Sequence, residues 1–201
     1  MADGELPEDV YADSLCRLPL PDRDQLDERG KARFDSLADP NTKSRVGVIG
    51  PGTLQLHSAE VSKFSSGLNA YLRNQAGFDD AILELAILLA AREMDSTFEW
   101  AAHEPAAVDA GLDPEIIDVV RNNKPAEGLP ETERLVIEFG RQLFRERRVD
   151  TDKFVAARTL FGDKGVLEFV VLMSQYSATA LVLAAFDMQP HPDLDQTLPV
   201  D

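Results

Sequence analysis

From Ala81 to Ala90 the chain reads AILELAILLA, an apolar run broken by one charge, Glu84. Apolar side chains fall on nearly every side of the helix this run makes, so the helix has no solvent face and belongs at the centre of the fold. No strict alternation of apolar and polar residues competes for a strand. The predicted helix covers about Asp79–Met94. Ser96-Thr97-Phe98-Glu99 follows with the S-x-x-E spacing of a capping box, and starts a helix that runs to Ala110 and stops at Gly111. Within Ala81–Gly111 lie the only tryptophan, Trp100, and one of the three histidines, His103.

The rest of the chain supplies helices to pack around this centre. Residues 1–21 are acidic and carry Pro7, Pro19 and Pro21, which predicts an N-terminal arm. A first helix is predicted over 22–38 with Asp22 as its cap, then a loop over 39–52 from its Pro, Gly and Asn content. Val61, Phe64, Leu68, Tyr71 and Leu72 recur at helical spacing within about Ser58–Gln75. Asp113-Pro114 opens a short helix to about Asn122, and Pro130 opens a longer one to about Arg147. Thr151 or Asp150 caps a helix ending near Phe161, Gly162-Asp163 turns the chain, and a last helix covers about Lys164–Asp187. Residues 188–201 are a proline-broken tail. The expected fold class is all-α with about eight helices, a single domain over 22–187 between the arm and the tail.

Charge and cysteine usage exclude several function classes. A net charge of −16 argues against nucleic acid and against anionic membrane surfaces, both of which need basic patches. The single cysteine, Cys16, rules out an intrachain disulfide and a CxxC centre. The acidic N-terminus has no apolar h-region, so no signal peptide is expected and the cytoplasm is the expected compartment. Gly165–Phe186 is very apolar but contains Glu168, Ser174, Gln175, Ser177 and Thr179, and reads as a core helix rather than a membrane span.

Three residues carry candidate chemistry. Glu84 lies in an apolar helix and needs a partner from another element, either as a structural ion pair or as an acid/base group. Glu99 and His103 are four apart and share a helix face, an arrangement that orients an imidazole for proton transfer. Glu99 has a second reading, as the capping-box residue that satisfies the Ser96 amide. His57 precedes a helix and reads as a packing residue or a ligand contact, and His191 has no assigned role. No His-Glu-x-x-His, G-x-G-x-x-G or P-loop pattern occurs, so neither a metal nor a cofactor is expected.

Five segments in order give the chain a family likeness: RLPLPDRDQLDERGKARFD (17–35), GPGTLQLHSAEV (50–61), LNAYLR (68–73), ELAILLAAREMDSTFEWAAHEP (84–105) and VLEFVVLMSQYSATALVLAAFDM (166–188). Together they resemble the carboxymuconolactone decarboxylase family, whose fold is shared with alkylhydroperoxidase D. In the peroxidase branch a Glu is followed by two cysteines and a His at positions that fall here on Glu84, Ser96, Glu99 and His103. Without that cysteine pair, disulfide-based peroxidase turnover has no chemistry at this place. The resemblance implies an alkylhydroperoxidase D-like helical bundle assembled as a trimer or hexamer. It also implies a small-molecule enzyme with Glu84, Glu99 and His103 as catalytic residues. Arg73, Trp100, Tyr176 and His57 are the expected substrate contacts; Arg73 alternatively pairs with Glu84, Trp100 packs beside the site or at a subunit contact, and Tyr176 is a wall or a proton donor. A redox protein of the peroxidase branch and a non-catalytic helical oligomer or binding module are the alternatives.

Overall fold

The computed structural model describes residues 6–42 and 44–200; the first five residues of the acidic arm, Lys43 and the last residue of the tail lie outside them. Among the described residues the chain is all helical, with eight α-helices, two short 3-10 turns and no strand. The helices are α1 (Glu28–Ala38), α2 (Pro51–Leu54), α3 (Ala59–Asn74), α4 (Asp80–Glu93), α5 (Thr97–Asp109), α6 (Pro114–Arg121), α7 (Glu131–Glu146) and α8 (Thr151–Ala185). The expected all-α class with about eight helices is the class observed.

Two compact units divide the chain: the described part of Met1–Leu68 with Leu181–Leu194, and Asn69–Ala180 with the described part of Asp195–Asp201. In the first, the backbone N–H of Arg17 donates to the Phe186 carbonyl at 2.8 Å and that of Gln189 to the Leu15 carbonyl at 2.8 Å. These bonds tie residues 15–17 to the end of α8, and Cys16 is buried beside Ser14. The helix expected over 22–38 is two elements. Asp22 caps a 3-10 turn, Arg23–Gln25, and Asp27 caps α1 by accepting from the Gly30 N–H at 2.7 Å. Two aspartates five residues apart each offer a cap, and extended Leu26 separates the turns they start. The loop expected to 52 ends sooner, because Pro51 takes the N1 position of α2, where its fixed φ suits a helix and its missing N–H costs nothing.

The second unit is built round α4. Leu85, Ala86, Ile87, Leu88, Leu89 and Ala90 have no exposed surface, which is what the apolar run predicts. Helices α5, α6 and α7 pack against it. The predicted break near Gly162 is a single residue with φ 72 and ψ 175, so the two expected helices form one long α8 with a kink. Glycine tolerates that positive φ where a side chain would not. Across the kink, Phe161 stacks on Phe169 with centroids 5.0 Å apart, and Phe78 meets Phe161 edge-on at 5.9 Å. By length and composition α8 is apolar enough to cross a membrane. One face of it, through Val166, Phe169, Leu172, Met173 and Tyr176, is part of the buried cluster, while Leu167 is exposed.

The approach of α7 to α4 depends on Gly140. A Cβ there would stand 2.2 Å from Leu89 Cδ2 and 3.3 Å from Met173 Sδ. Leu89 and Met173 are both fully buried and have nowhere to move. Gly140→Ala is expected to destabilise the fold by about 1–3 kcal/mol, the usual range for overpacking, read as a lower urea midpoint at unchanged slope.

Candidate functional site

Four helices bring side chains together in the second unit. Arg73 comes from the end of α3, Glu84 from α4, Glu99 and His103 from α5 and Tyr176 from α8. The Glu84 carboxylate is 5% exposed and lies between two partners: Arg73 Nη2 donates to Oε1 at 2.8 Å, and His103 Nδ1 is 2.7 Å from Oε2. Burial works against the Glu84 charge, but the bonds and charges of His103 and Arg73 overcome it and hold the carboxyl below its ordinary range. Glu84 is therefore an acceptor, and Nδ1 of His103 must carry the proton it accepts. Nε2 is left as the working nitrogen of the ring.

Glu99 is in the opposite state. Its carboxylate is also 5% exposed, and Oε2 lies 3.9 Å from His103 Nε2, an ion-pair distance too long for a hydrogen bond. Burial pushes this carboxyl up, against smaller opposing effects of His103 and Arg73. The expected capping box does not form. Ser96 is the N-cap by backbone geometry, but its side chain makes no cap bond. Its own N–H already donates to the Ala91 carbonyl at 2.8 Å, so Glu99 is not needed there. The tight turn from α4 into α5 thus releases Glu99 to face His103.

Tyr176 completes the group. Its ring stands edge-on to His103, with centroids 5.1 Å apart and planes at 89°. Its oxygen accepts from Arg73 Nη1 at 2.8 Å and from Asn69 Nδ2 at 3.3 Å. Burial pushes the phenol up, keeping it protonated. Asn69 was not among the sequence candidates. Its signal was its position four residues before Arg73 on one helix, which sets both side chains on the same face. Side-chain exposures of 31% for Arg73 and 15% for His103 mark where solvent reaches the group.

The other two expected substrate contacts, Trp100 and His57, have partners of their own. Trp100 is fully buried, and its indole N–H donates to Glu104 Oε2 at 3.0 Å and to Thr197 Oγ1 at 2.9 Å. Arg121 lies 5.7 Å over its ring and also pairs with Glu104. With no free surface, Trp100 serves packing and ties residue 197 to α5. His57 belongs to the first unit, where Nε2 is 2.9 Å from the Pro19 carbonyl oxygen. Among the described residues no three His, Cys, Asp or Glu side chains are grouped to hold a metal ion.

No protein-family model matches the sequence, and no curated protein matches it. Among solved structures, an uncharacterized peroxidase-related protein from Silicibacter sp. TM1040 superposes with a TM-score of 0.71 at 15% identity. The match covers 92% of this chain and 95% of that one. At this identity the likeness establishes the shared helical fold.

The two buried carboxyls give opposite pH signatures. Glu84 has a lowered folded pKa, so its contribution is complete above the ordinary carboxylate range and is lost as pH falls through the folded value. Glu99 has a raised folded pKa, so stability is greatest below the ordinary range and falls as pH rises through the folded value. Glu84→Gln is expected to cost about 1.5–3 kcal/mol at pH 7, with the deficit shrinking in acid. Glu99→Gln should gain on wild type as pH rises. Chemical denaturation of both variants across pH checks this, and parallel curves for the two would overturn the assignment.

Proposed function

We propose that this chain is a cytoplasmic small-molecule enzyme of the carboxymuconolactone decarboxylase type, with His103 as the acid/base that works on the substrate. The observation supporting this reading is the pair of buried carboxyls on either side of one imidazole, one held ionised and the other held toward its acid form. Environments that push two titratable groups apart assign them different proton-transfer tasks. Glu84 fixes the ring and its tautomer. Nε2 takes or gives the proton at the substrate. Glu99 is the acid beside it, near enough that a substrate atom within reach of Nε2 also meets a proton donor. Arg73 balances the Glu84 charge, so this part of the site needs no further cation.

In a decarboxylation the bond to the carboxyl carbon breaks, carbon dioxide leaves, and the electron pair moves into an enolate that must then take a proton on carbon. The same groups serve a lactone isomerisation. A thiol-peroxide reading would run through Cys16, the single cysteine, whose sulfur is buried and donates to the Leu18 carbonyl at 3.3 Å. No sulfur stands beside His103, since Ser96 and Glu99 occupy the positions in question. The proton-transfer reading is therefore preferred.

The test is turnover of carboxylated lactones by wild type and His103→Ala. Loss of a general acid/base lowers kcat by about 10²–10⁴-fold. Equal turnover by both proteins removes His103 from the mechanism.

The reading also carries a homo-oligomer, a trimer or a hexamer. Val61, Phe64 and Leu68 are exposed at helical spacing along α3, Phe64 by 67%, and such a stripe favours a covering partner. Light scattering is expected to give a multiple of the 22.1 kDa chain, and Phe64→Glu a smaller mass. A monomeric wild type would refute the assembly.

A further inference from the structure

The oxygen of Tyr176 is approached by donors. Arg73 Nη1 lies at 2.8 Å and Asn69 Nδ2 at 3.3 Å. A guanidinium has no acceptor, so the first contact runs only from Arg73 to the phenol. A phenol oxygen takes at most two hydrogen bonds and gives one. With Asn69 donating as well, both accepting positions are used, and the phenol proton is the part of the group still to be placed. The ring stands edge-on to His103, so the phenol belongs to the same group of side chains as Nε2.

We propose that Tyr176 is the hydrogen-bond donor to an oxyanion formed on the substrate, and that Asn69 and Arg73 are the positioning residues that aim it. The proposal rests on the proton-transfer reading above and specifies its substrate class as a small enolisable carbonyl compound or lactone. When the carboxyl carbon leaves, or when Nε2 removes a proton next to the carbonyl, the electron pair of the broken bond moves toward the carbonyl oxygen. That oxygen becomes negative, and the Tyr176 O–H donates to it. As the proton returns to carbon, the carbonyl re-forms and the hydrogen bond weakens. A neutral donor suits this place. Arg73 is already paired with Glu84, and a bond that strengthens only as charge develops favours the transition state over the bound substrate.

The arrangement on α3 explains why two residues are used. Asn69 and Arg73 are one helical turn apart and grip the phenol oxygen from the same face. Removing Asn69 frees an accepting position and lets the phenol rotate. Replacing its amide by a carboxylate goes further, because a carboxylate accepts the phenol proton and turns it away from the substrate.

The test uses the full chain and 4-nitrophenol, a chromophoric oxyanion whose absorbance reports its ionisation. Wild type is expected to bind it as the phenolate and to lower its ionisation midpoint relative to free solution. Tyr176→Phe should weaken that binding by about 10–100-fold, the worth of a hydrogen bond to a charged group, and abolish the shift. Asn69→Ala should lose part of the shift, and Asn69→Asp all of it. A residue with a merely structural role would leave the absorbance of bound probe unchanged. Asn69 is only half-buried, so its variants carry the test should Tyr176→Phe fail to fold. Absence of binding to wild type, or equal shifts in wild type and the Asn69 variants, overturns the proposal. Failure to turn over carboxylated lactones, with nitrophenolate binding that still depends on Tyr176 and Asn69, overturns the decarboxylase reading and keeps the donor.

Discussion

A carboxylate in the middle of the most apolar helix is the constraint from which the second unit follows. Glu84 has Leu83 and Leu85 on either side of it in sequence and six fully buried residues after it on α4. An unpaired charge there would cost more than a domain can spare, so the fold must deliver a cation and a hydrogen-bond donor to it. Arg73 and His103 do so from two different helices, each to its own oxygen. The end of α3 and the middle of α5 are thereby held against α4 at fixed register. Core packing and the candidate site are one arrangement, because the residue that must be buried is the residue that orients the histidine.

The second carboxyl shows how environment divides roles between like groups. Glu84 and Glu99 are equally inaccessible, and both neighbour His103. Glu84 has two direct donors, whereas Glu99 is buried with an imidazole nitrogen at 3.9 Å. Direct bonds outweigh burial in the first case and not in the second, so one is an anion and the other tends to an acid. An imidazole between them is fixed on one nitrogen and free on the other. Tyr176 adds a neutral phenol whose oxygen accepts from Arg73 and Asn69.

Much of this was legible in the chain. The run AILELAILLA marked a central helix, and Asp113-Pro114 and Gly162 marked a start and a break where the structure has them. Glu84 and His103 were readable because a charge in an apolar run and a histidine one turn from an acid are each unusual. The S-x-x-E signal misled, since a capping box is a local argument and the Ser96 amide found its acceptor in the preceding helix. Trp100 shows the same limit of local pattern. A lone tryptophan beside candidate residues invites a ligand role, yet its N–H is taken by Glu104 and by Thr197, which is 97 residues away in sequence. His57 shares no helix with the other candidates, and its carbonyl partner, Pro19, lies in a segment with no periodic signal.

Local pattern alone thus determined the helical class, the order of the helices and the identity of the residues too polar for their surroundings. These depend on periodicity, caps and breakers, which act over a few residues. Tertiary structure decided which of those residues meet, which carboxyl gains two direct donors, which imidazole nitrogen is free and which donors reach the Tyr176 oxygen. Each depends on a partner from another helix, through distances of 2.7 to 3.3 Å that no spacing within one helix specifies.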